Sequence, residues 1–510
     1  MTLDPAALQV LISRLVGIAD EMGAVLRRAA YSPNIKERAD CSAALFTASG
    51  ELLVQAEHIP VHLGSMPAAV RAAIDACGDR VAPGGQIVLN DPFAGGTHLN
   101  DITFVAPCHA DGRLVGWVAN RAHHADLGGM APGSMPPDAR EIAQEGLRIP
   151  PVVDGDDVEA MIVAASRTPD ERRGDLAAQR GANVLGAQRL ALLARAPFAE
   201  VLDYGERRMR AAVDALADGE YRFEDVLDSA GPALDQQRPI RIALLVTIAG
   251  DQVTFDFSGT DPQRAGNMNA VEAVTVSAVA FALRCATDPT IPANGGTYRP
   301  VQVIAPAGTV VAARAPAAVG AGNVEVSQRV ADVCLGALAA AAPGRLGAAS
   351  QGTMNNLLLG GSDPAWVYYE TIGGGQGARP GRAGMSAVHT NMTNTLDTPV
   401  EALERAYPVR VHEYGVRRGS GGRGAYAGGD GTVRAIEVLA DATLSLITER
   451  RRSRPWGAAG GEPGLSGENW LLPGGDRTDA RPLPDKCTIA LRAGDVVLVL
   501  TPGGGGYGVA

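Results

Sequence analysis

The chain has 510 residues, with 45 basic against 56 acidic side chains for a net charge of −11. That length holds two or three domains and a sizeable core, while the acidic balance without any Lys/Arg-rich tract argues against a nucleic-acid or anionic-membrane partner. No apolar run approaches bilayer length and no basic-then-apolar signal opens the chain, so a cytoplasmic protein is expected.

The six cysteines stand singly, with no CxxC, which excludes a zinc ribbon and gives no disulfide framework. With 63 glycines and only 4% aromatic residues, the chain should be rich in turns and close backbone contacts.

Asp4-Pro5 reads as an N-cap followed by proline at the first helical position, and Leu8, Leu11, Ile12, Leu15, Ala19, Met22 and Leu26 recur at helical spacing. An amphipathic helix to about Ala30 follows. The next stretch, YSPNIKERADCSAALF, packs Glu37 and Asp40 just before an apolar strand. Read alone, a carboxylate there is a cap or a surface group. His58 and His62 flank Ile59-Pro60-Val61 and are as readily structural as functional. Pro67 to Cys77 reads as a short helix, and Val81 to Leu89 as a strand.

The segment Asn90 to Asp126 is the most informative. It holds the HxxD pair His98/Asp101, an apolar run from Ile102 to Cys108, and the polar turn His109-Ala110-Asp111-Gly112. A second apolar run, Arg113 to Arg121, then ends at His123-His124-Ala125-Asp126. Two short β-forming runs either side of Asp-Gly predict a hairpin. If Cys108 and Arg113 close a four-residue loop, Asp101 faces Asn120 and His98 faces His123. Opposed residues have Cβ atoms about 5 Å apart, so both imidazoles could reach one ion at bonds of about 2.1 Å. A glycine bulge would instead set His124 against His98. Either way His123 and His124 point to opposite faces and do not serve together. The bland alternative is a polar hairpin end with solvated histidines.

After the hairpin, Gly128-Gly129 and Met130 to Pro137 form a loop. Glu145 is either an acid/base group or a solvated helix-end carboxylate. Thr168-Pro169-Asp170-Glu171 is a capping box opening a long helix through Leu193, and a second helix runs from about Phe198 to Leu216. Gly219 marks a change to β-structure, with strands Ile240 to Ile248 and Gln252 to Phe257. Val271 to Ala286 and Val326 to Ala341 read as buried helices. Ser350 to Thr395 concentrates Asn355, Asn356, Glu370, His389, Asn391 and Asn394 around glycines, a set suited equally to a polar substrate and to its own backbone. From about Pro408 the chain shifts to short β-runs separated by glycine, predicting a sandwich or barrel-like layer.

The expected class is therefore mixed α+β, divided as a metal-site domain over 1–218, a mixed middle region over 219–407 and a β-rich region over 408–510. Neither Gly503 to Gly506 nor Gly373 to Gly375 has the Lys-Ser/Thr of a phosphate-binding loop, and there is no GxSxG elbow. The chain shows no nucleotide motif of its own.

Taken together, YSPNIKERADCSAALF, QAEHIPVHLGSMP, NDPFAGGTHLNDITFVAP, NRAHHADLGG, QEGLRIPP, AASQGTMNN, ETIGGGQGARPGRAGMSAVHTNMTNT and TPGGGGYG resemble the hydantoinase B family over nearly the whole length. That family groups the B components of ATP-dependent N-methylhydantoinases, the C-terminal part of 5-oxoprolinases, the caprolactamase B component and acetone and acetophenone carboxylase subunits. The resemblance implies a divalent metal, zinc or manganese, on His98, Asp101 and His123, with Asp40 as fourth ligand and Glu37 as its alternate. Asp126 is a candidate to hold a histidine's other ring nitrogen, and Glu145 to manage protons. It also implies a hydantoinase A-type partner with an actin-like ATPase fold, which binds ATP and phosphorylates the substrate's amide or enol oxygen. The metal in this chain then lowers the pKa of a water and delivers hydroxide to the activated cyclic amide. Two other readings share the ligand set: a carboxylase subunit capturing carbon dioxide on an enol phosphate, and a non-catalytic scaffold with a structural metal.

Overall fold

In the computed structural model, which describes residues 3–56, 59–363 and 365–510, Asp4 accepts hydrogen bonds from the N–H groups of Ala6 and Ala7 and caps α1 (Pro5–Ala29). His58 lies outside the described residues. The stripe Leu8, Leu11, Leu15, Met22 and Leu26 is buried, and each such side chain removed from water contributes about 2 kcal/mol.

Further helices are α2 (Pro33–Lys36), α3 (Ser65–Cys77), α4 (Asp156–Ala165), α5 (Pro169–Ala191) and α6 (Phe198–Asp214). α5 starts where its sequence predicts, but Thr168 makes no side-chain cap bond, because its backbone (φ −124, ψ 69) departs from the extended form a capping box needs.

Six strands, β1 (Cys41–Thr47), β2 (Leu52–Ala56), β3 (Ile87–Leu89), β4 (Asp101–Ala110), β5 (Arg113–His123) and β6 (Val152–Val153), form one sheet in the order β2-β1-β5-β4-β3-β6. The strand expected from Val81 is reduced to three residues, because Gly84 turns the chain at φ +87. Ala43, Leu45, Cys108 and Val118 pack beneath α1 and Leu190 of α5. On the other face Ala44, Phe46, Val105 and Ala119 pack against Met66, Val70 and Ala73 of α3. Helices on both faces explain why these antiparallel strands read as continuous apolar runs rather than alternating ones.

The β4–β5 hairpin forms, but in a register three residues away from the expected one. Only Asp111 and Gly112 (φ 51 and 74) make the turn, Ala110 pairs with Arg113, and a bulge falls at Cys108/His109. Asp-Gly with two positive φ angles is the two-residue turn whose twist matches the strands, and it displaces the longer loop. Asp101 therefore pairs with His123, and Asn120 with Phe104. His98 precedes the strand and faces no residue across it.

The middle of the chain contributes β7 (Gly219–Leu227), β8 (Ile240–Ala249), β9 (Gln252–Asp256) and β10 (Val301–Ile304), ordered β10-β9-β8-β7, with α7 (Glu272–Ala286) and α8 (Ser327–Ala341). Ile242, Leu244 and Phe255 share a core with Val274, Leu283, Val330 and Leu338 of these helices.

Nine further strands follow: β11 (Asn356–Ser362), β12 (Ala365–Glu370), β13 (Val409–Arg417), β14 (Gly431–Val438), β15 (Ala442–Ile447), β16 (Glu468–Leu472), β17 (Arg481–Leu483), β18 (Lys486–Leu491) and β19 (Val496–Leu500). They make two sheets, β12-β11-β15-β18 and β13-β14-β19-β16-β17. Leu357, Leu444 and Leu446 of the first meet Val409, Ile436 and Val497 of the second in one core, so the two sheets form a sandwich. Two of its strands come from before residue 408.

Beside the sandwich, glycine-rich segments pack backbone on backbone. Gly504 N–H donates to Gly429 O at 2.9 Å and Gly505 N–H to Ala349 O at 2.8 Å. A Cβ on Gly504 would stand 2.1 Å from Gln376 O. The final glycine run thus packs backbone against backbone. The whole is a mixed α+β protein. Among the described residues no helix is long and apolar enough to cross a membrane, and the six cysteines are free.

Candidate metal centre

The turn before β4 does what the hairpin ladder was expected to do. Asp101 N–H donates to His98 O at 3.1 Å, a tight turn that folds the His98 ring back over Asp101. His123, opposite Asp101 on β5, completes the approach: the two imidazole centroids are 5.0 Å apart. Ligand atoms of His98, Asp101 and His123 lie within 4.8 Å of one another, and all three residues are buried. The expectation of two imidazoles and a carboxylate at one end of the hairpin holds, by a different register.

His98 Nδ1–H, donating to Gly320 O at 3.3 Å, turns the other ring nitrogen inward. His98 Nε2 then stands 3.2 Å from Asp101 Oδ1, and His123 Nδ1 stands 3.6 Å from the same oxygen. Asp101 Oδ1 and His123 Nε2 are buried without a hydrogen-bond partner. An ionised carboxylate oxygen buried without a donor is costly, and a proton or a cation beside Asp101 Oδ1 would offset that cost. Burial opposes charge on the Asp101 carboxyl, yet the surrounding imidazoles hold its pKa well below the usual range. Burial likewise disfavours imidazolium at His98, but neighbouring Asp101 raises its pKa above the ordinary value. At His123 desolvation wins and the pKa is lowered. Two imidazoles and carboxylate oxygen are the donor set of zinc and manganese sites, so the residues fit a divalent cation.

Around this group the structure adds side chains from distant segments. His62 Nε2 lies 3.4 Å from Asp101 Oδ2, and its Nδ1 lies 2.8 Å from Ser42 Oγ. Nothing local in the sequence separates His62 from a structural histidine. The Tyr369 ring stacks on His123 with centroids 4.7 Å apart and donates its hydroxyl to Asn356 Oδ1 at 2.9 Å. Arg38 reaches across to Tyr369 O and to Thr371 Oγ1, tying the KERAD segment to β12 and the loop after it.

Asp40 is buried beside His123, whose N–H it accepts on its main-chain oxygen at 3.1 Å. Its charge favours protonation of both His98 and His123, although it stands outside the three-residue group. Ala39 before it adopts φ 55, a left-handed backbone costing about 1 kcal/mol in a non-glycine residue. Glu37 is half-buried at the C-cap of α2. Glu145 is fully buried rather than solvated, and its two oxygens accept the N–H groups of Val319 (3.1 Å) and Gly320 (2.8 Å). Desolvation pushes its pKa up to about 7. Asp126 accepts from Arg167 (2.8 Å) and from Gly133 N–H (3.1 Å), an anchor for the loop after the hairpin. Among the described residues no histidine ring is bonded to it. His124 turns away, its Nε2 2.8 Å from Gln179 Oε1. A cavity of about 930 Å³ between α1, α6 and Thr287 shares no residue with this group.

These features define a mixed α+β protein with an internal histidine–carboxylate centre. The chain belongs to the Hydantoinase B/oxoprolinase family, which it matches over residues 4–510. It is 39% identical to 5-oxoprolinase 1 of Arabidopsis thaliana over 99% of this chain, but spans only 42% of that protein. It is 31% identical to the putative B component of a D-/L-hydantoinase of Pseudomonas sp. strain NS671, over 99% of this chain and 90% of that one. Among solved structures, the ATP-dependent caprolactamase from Pseudomonas jessenii superimposes with a TM-score of 0.92 at 30% identity, covering 100% of this chain and 92% of that chain.

Proposed function

We propose that this chain is the metal-bearing, cytoplasmic subunit of an ATP-dependent cyclic-amide hydrolase. The observation that carries the reading is the buried group His98, Asp101 and His123 with its unpartnered acceptor atoms. The relatives named as a hydantoinase component, a 5-oxoprolinase and a caprolactamase support the reaction class.

His98, Asp101 and His123 would hold the cation, with Asp40 as the fourth protein ligand. When bound, a divalent cation lowers the pKa of water and polarises a carbonyl or phosphoryl oxygen. Gly320 O sets the tautomer of His98 so that Nε2 faces inward, and Glu145, by accepting the Gly320 N–H, holds the adjoining peptide. A Glu145 carboxyl that titrates near neutrality can also take or give a proton at its own oxygens. Asp126 serves the site indirectly, by holding residues 128–133 in place.

ATP use belongs to a second, hydantoinase A-type chain in this reading, because the glycine runs here are close-packed backbone. The test is metal analysis and turnover of the chain co-expressed with its ATPase partner. About one ion per chain and ATP hydrolysis dependent on 5-oxoproline, a hydantoin or caprolactam are expected, and both should be lost in His123→Ala. Preserved turnover in that variant refutes a catalytic centre. Turnover confined to a ketone with bicarbonate refutes the hydrolase reading.

A further inference from the structure

The turn that opens α8 brings one more polar side chain to the centre. Gly322–Val326 is wound as a π-turn, closed by Ser327 N–H on Gly322 O, a rare winding that re-aims side chains. Gly322 admits no substitute there, since a Cβ would stand 1.9 Å from Asn269 O. Asn269 is itself fixed by its amide to the carbonyls of Gly266 (2.7 Å) and Ala318 (3.0 Å). Ser327 Oγ donates to Asn323 O at 2.6 Å, so the main chain of Asn323 is held from both sides.

Asn323 is 4% exposed, and its carboxamide is aimed at the centre. Its Nδ2 stands 3.2 Å from His98 Nε2 and 3.4 Å from Asp101 Oδ2. Its Oδ1 has no hydrogen-bond partner among the described residues. Two ligand atoms bound to one cation at about 2.1 Å are about 3.0 Å apart at a right angle and about 3.4 Å apart at a tetrahedral one. His98 Nε2 lies 3.2 Å both from Asp101 Oδ1 and from the Asn323 terminus, within the span of atoms sharing one ion, while the Asn323 terminus meets the other oxygen of Asp101, Oδ2, at 3.4 Å. An amide nitrogen is not a ligand, but half a turn about the last side-chain bond exchanges Nδ2 and Oδ1 with little change of shape.

We propose that Asn323 is a further protein ligand of the centre, presenting its carboxamide oxygen to the same divalent cation as His98 and Asp101. This rests on the reading that the centre holds a cation. Without one, the N–H that Asn323 donates to His98 Nε2 satisfies that lone pair. With one, the oxygen is the only atom of the amide able to face it.

The test is calorimetric titration of the full-length, chelator-stripped chain with zinc chloride and with manganese chloride, in the wild type, His98→Ala, Asn323→Ala and Asn323→Asp. Asn323→Ala should weaken affinity about tenfold or more, while Asn323→Asp, which keeps an oxygen in place and adds charge, should bind at least as tightly as the wild type. A residue serving only the fold would be harmed by both changes. Equal weakening in both variants, or wild-type affinity in Asn323→Ala, overturns the proposal while leaving the centre standing, provided His98→Ala has lost the ion. If Asn323→Ala does not fold, Asn323→Asp decides alone: affinity at or above the wild type supports the ligand, and affinity below it overturns it. A wild type that takes up neither cation overturns the centre and this ligand together.

Discussion

Glu145 carries a charge-state prediction that follows from its surroundings. The carboxyl is fully buried, its direct donors among the described residues are the peptide N–H groups of Val319 and Gly320, and its pKa is raised from 4.5 to about 7. The folded chain therefore binds this proton more tightly than the unfolded chain. The resulting stabilisation is fully present below about pH 4.5 and is lost as pH rises through about 7. A shift of that size corresponds to about 3 kcal/mol, falling by about 1.4 kcal/mol per pH unit inside the window. Replacing the group by an amide in Glu145→Gln removes this dependence. Urea midpoints of wild type and variant, compared from pH 5 to pH 8, should converge or cross as the wild type loses its proton. Infrared difference spectra between the two should show a carboxylic-acid stretch in the wild type that titrates near neutrality. A carboxyl that is already ionised at pH 5, or a stability difference independent of pH, refutes the argument from desolvation.

Three further outcomes are expected. Asp101 raises the pKa of His98, and below that pKa ion uptake must displace a proton, so zinc affinity should fall about tenfold per unit as pH drops under it; affinity independent of pH would contradict it. Gly504→Ala forces a Cβ to within 2.1 Å of Gln376 O and should destabilise by about 3 kcal/mol, read as a lowered thermal midpoint, whereas Gly415→Ala, with open space around it, should stay within about 0.5 kcal/mol. Tyr369→Phe removes the 2.9 Å bond to Asn356 but keeps the ring over His123, so it should cost about 1 kcal/mol in denaturant unfolding and leave metal content unchanged.

Much of the fold was legible because it depends on near neighbours in the chain. The apolar stripe of α1, its Asp4 cap, the buried α7 and α8, and the Asp-Gly hairpin all follow from local sterics and hydrophobic period. The centre was half legible. HxxD is a local turn, and His123 follows from the second arm of the same hairpin. The register is not legible in the sequence, because a two-residue turn and a bulge, both compatible with the same residues, differ from a four-residue loop only in backbone twist.

What residues 98 to 123 determined by themselves was a histidine pair and a carboxylate converging on one edge of a sheet, since a tight turn and a hairpin bring them together without help from elsewhere. Only tertiary packing decided their chemistry. Segments around His62, Gly320, Asn323 and Tyr369 close over them, strip away water and leave acceptor atoms facing one another. It was the same packing that buried Glu145, which the local pattern could equally have left in solvent. Burial and electrostatic coupling depend on which distant surfaces meet, and hydrophobic periodicity reports that a face is covered but not by what.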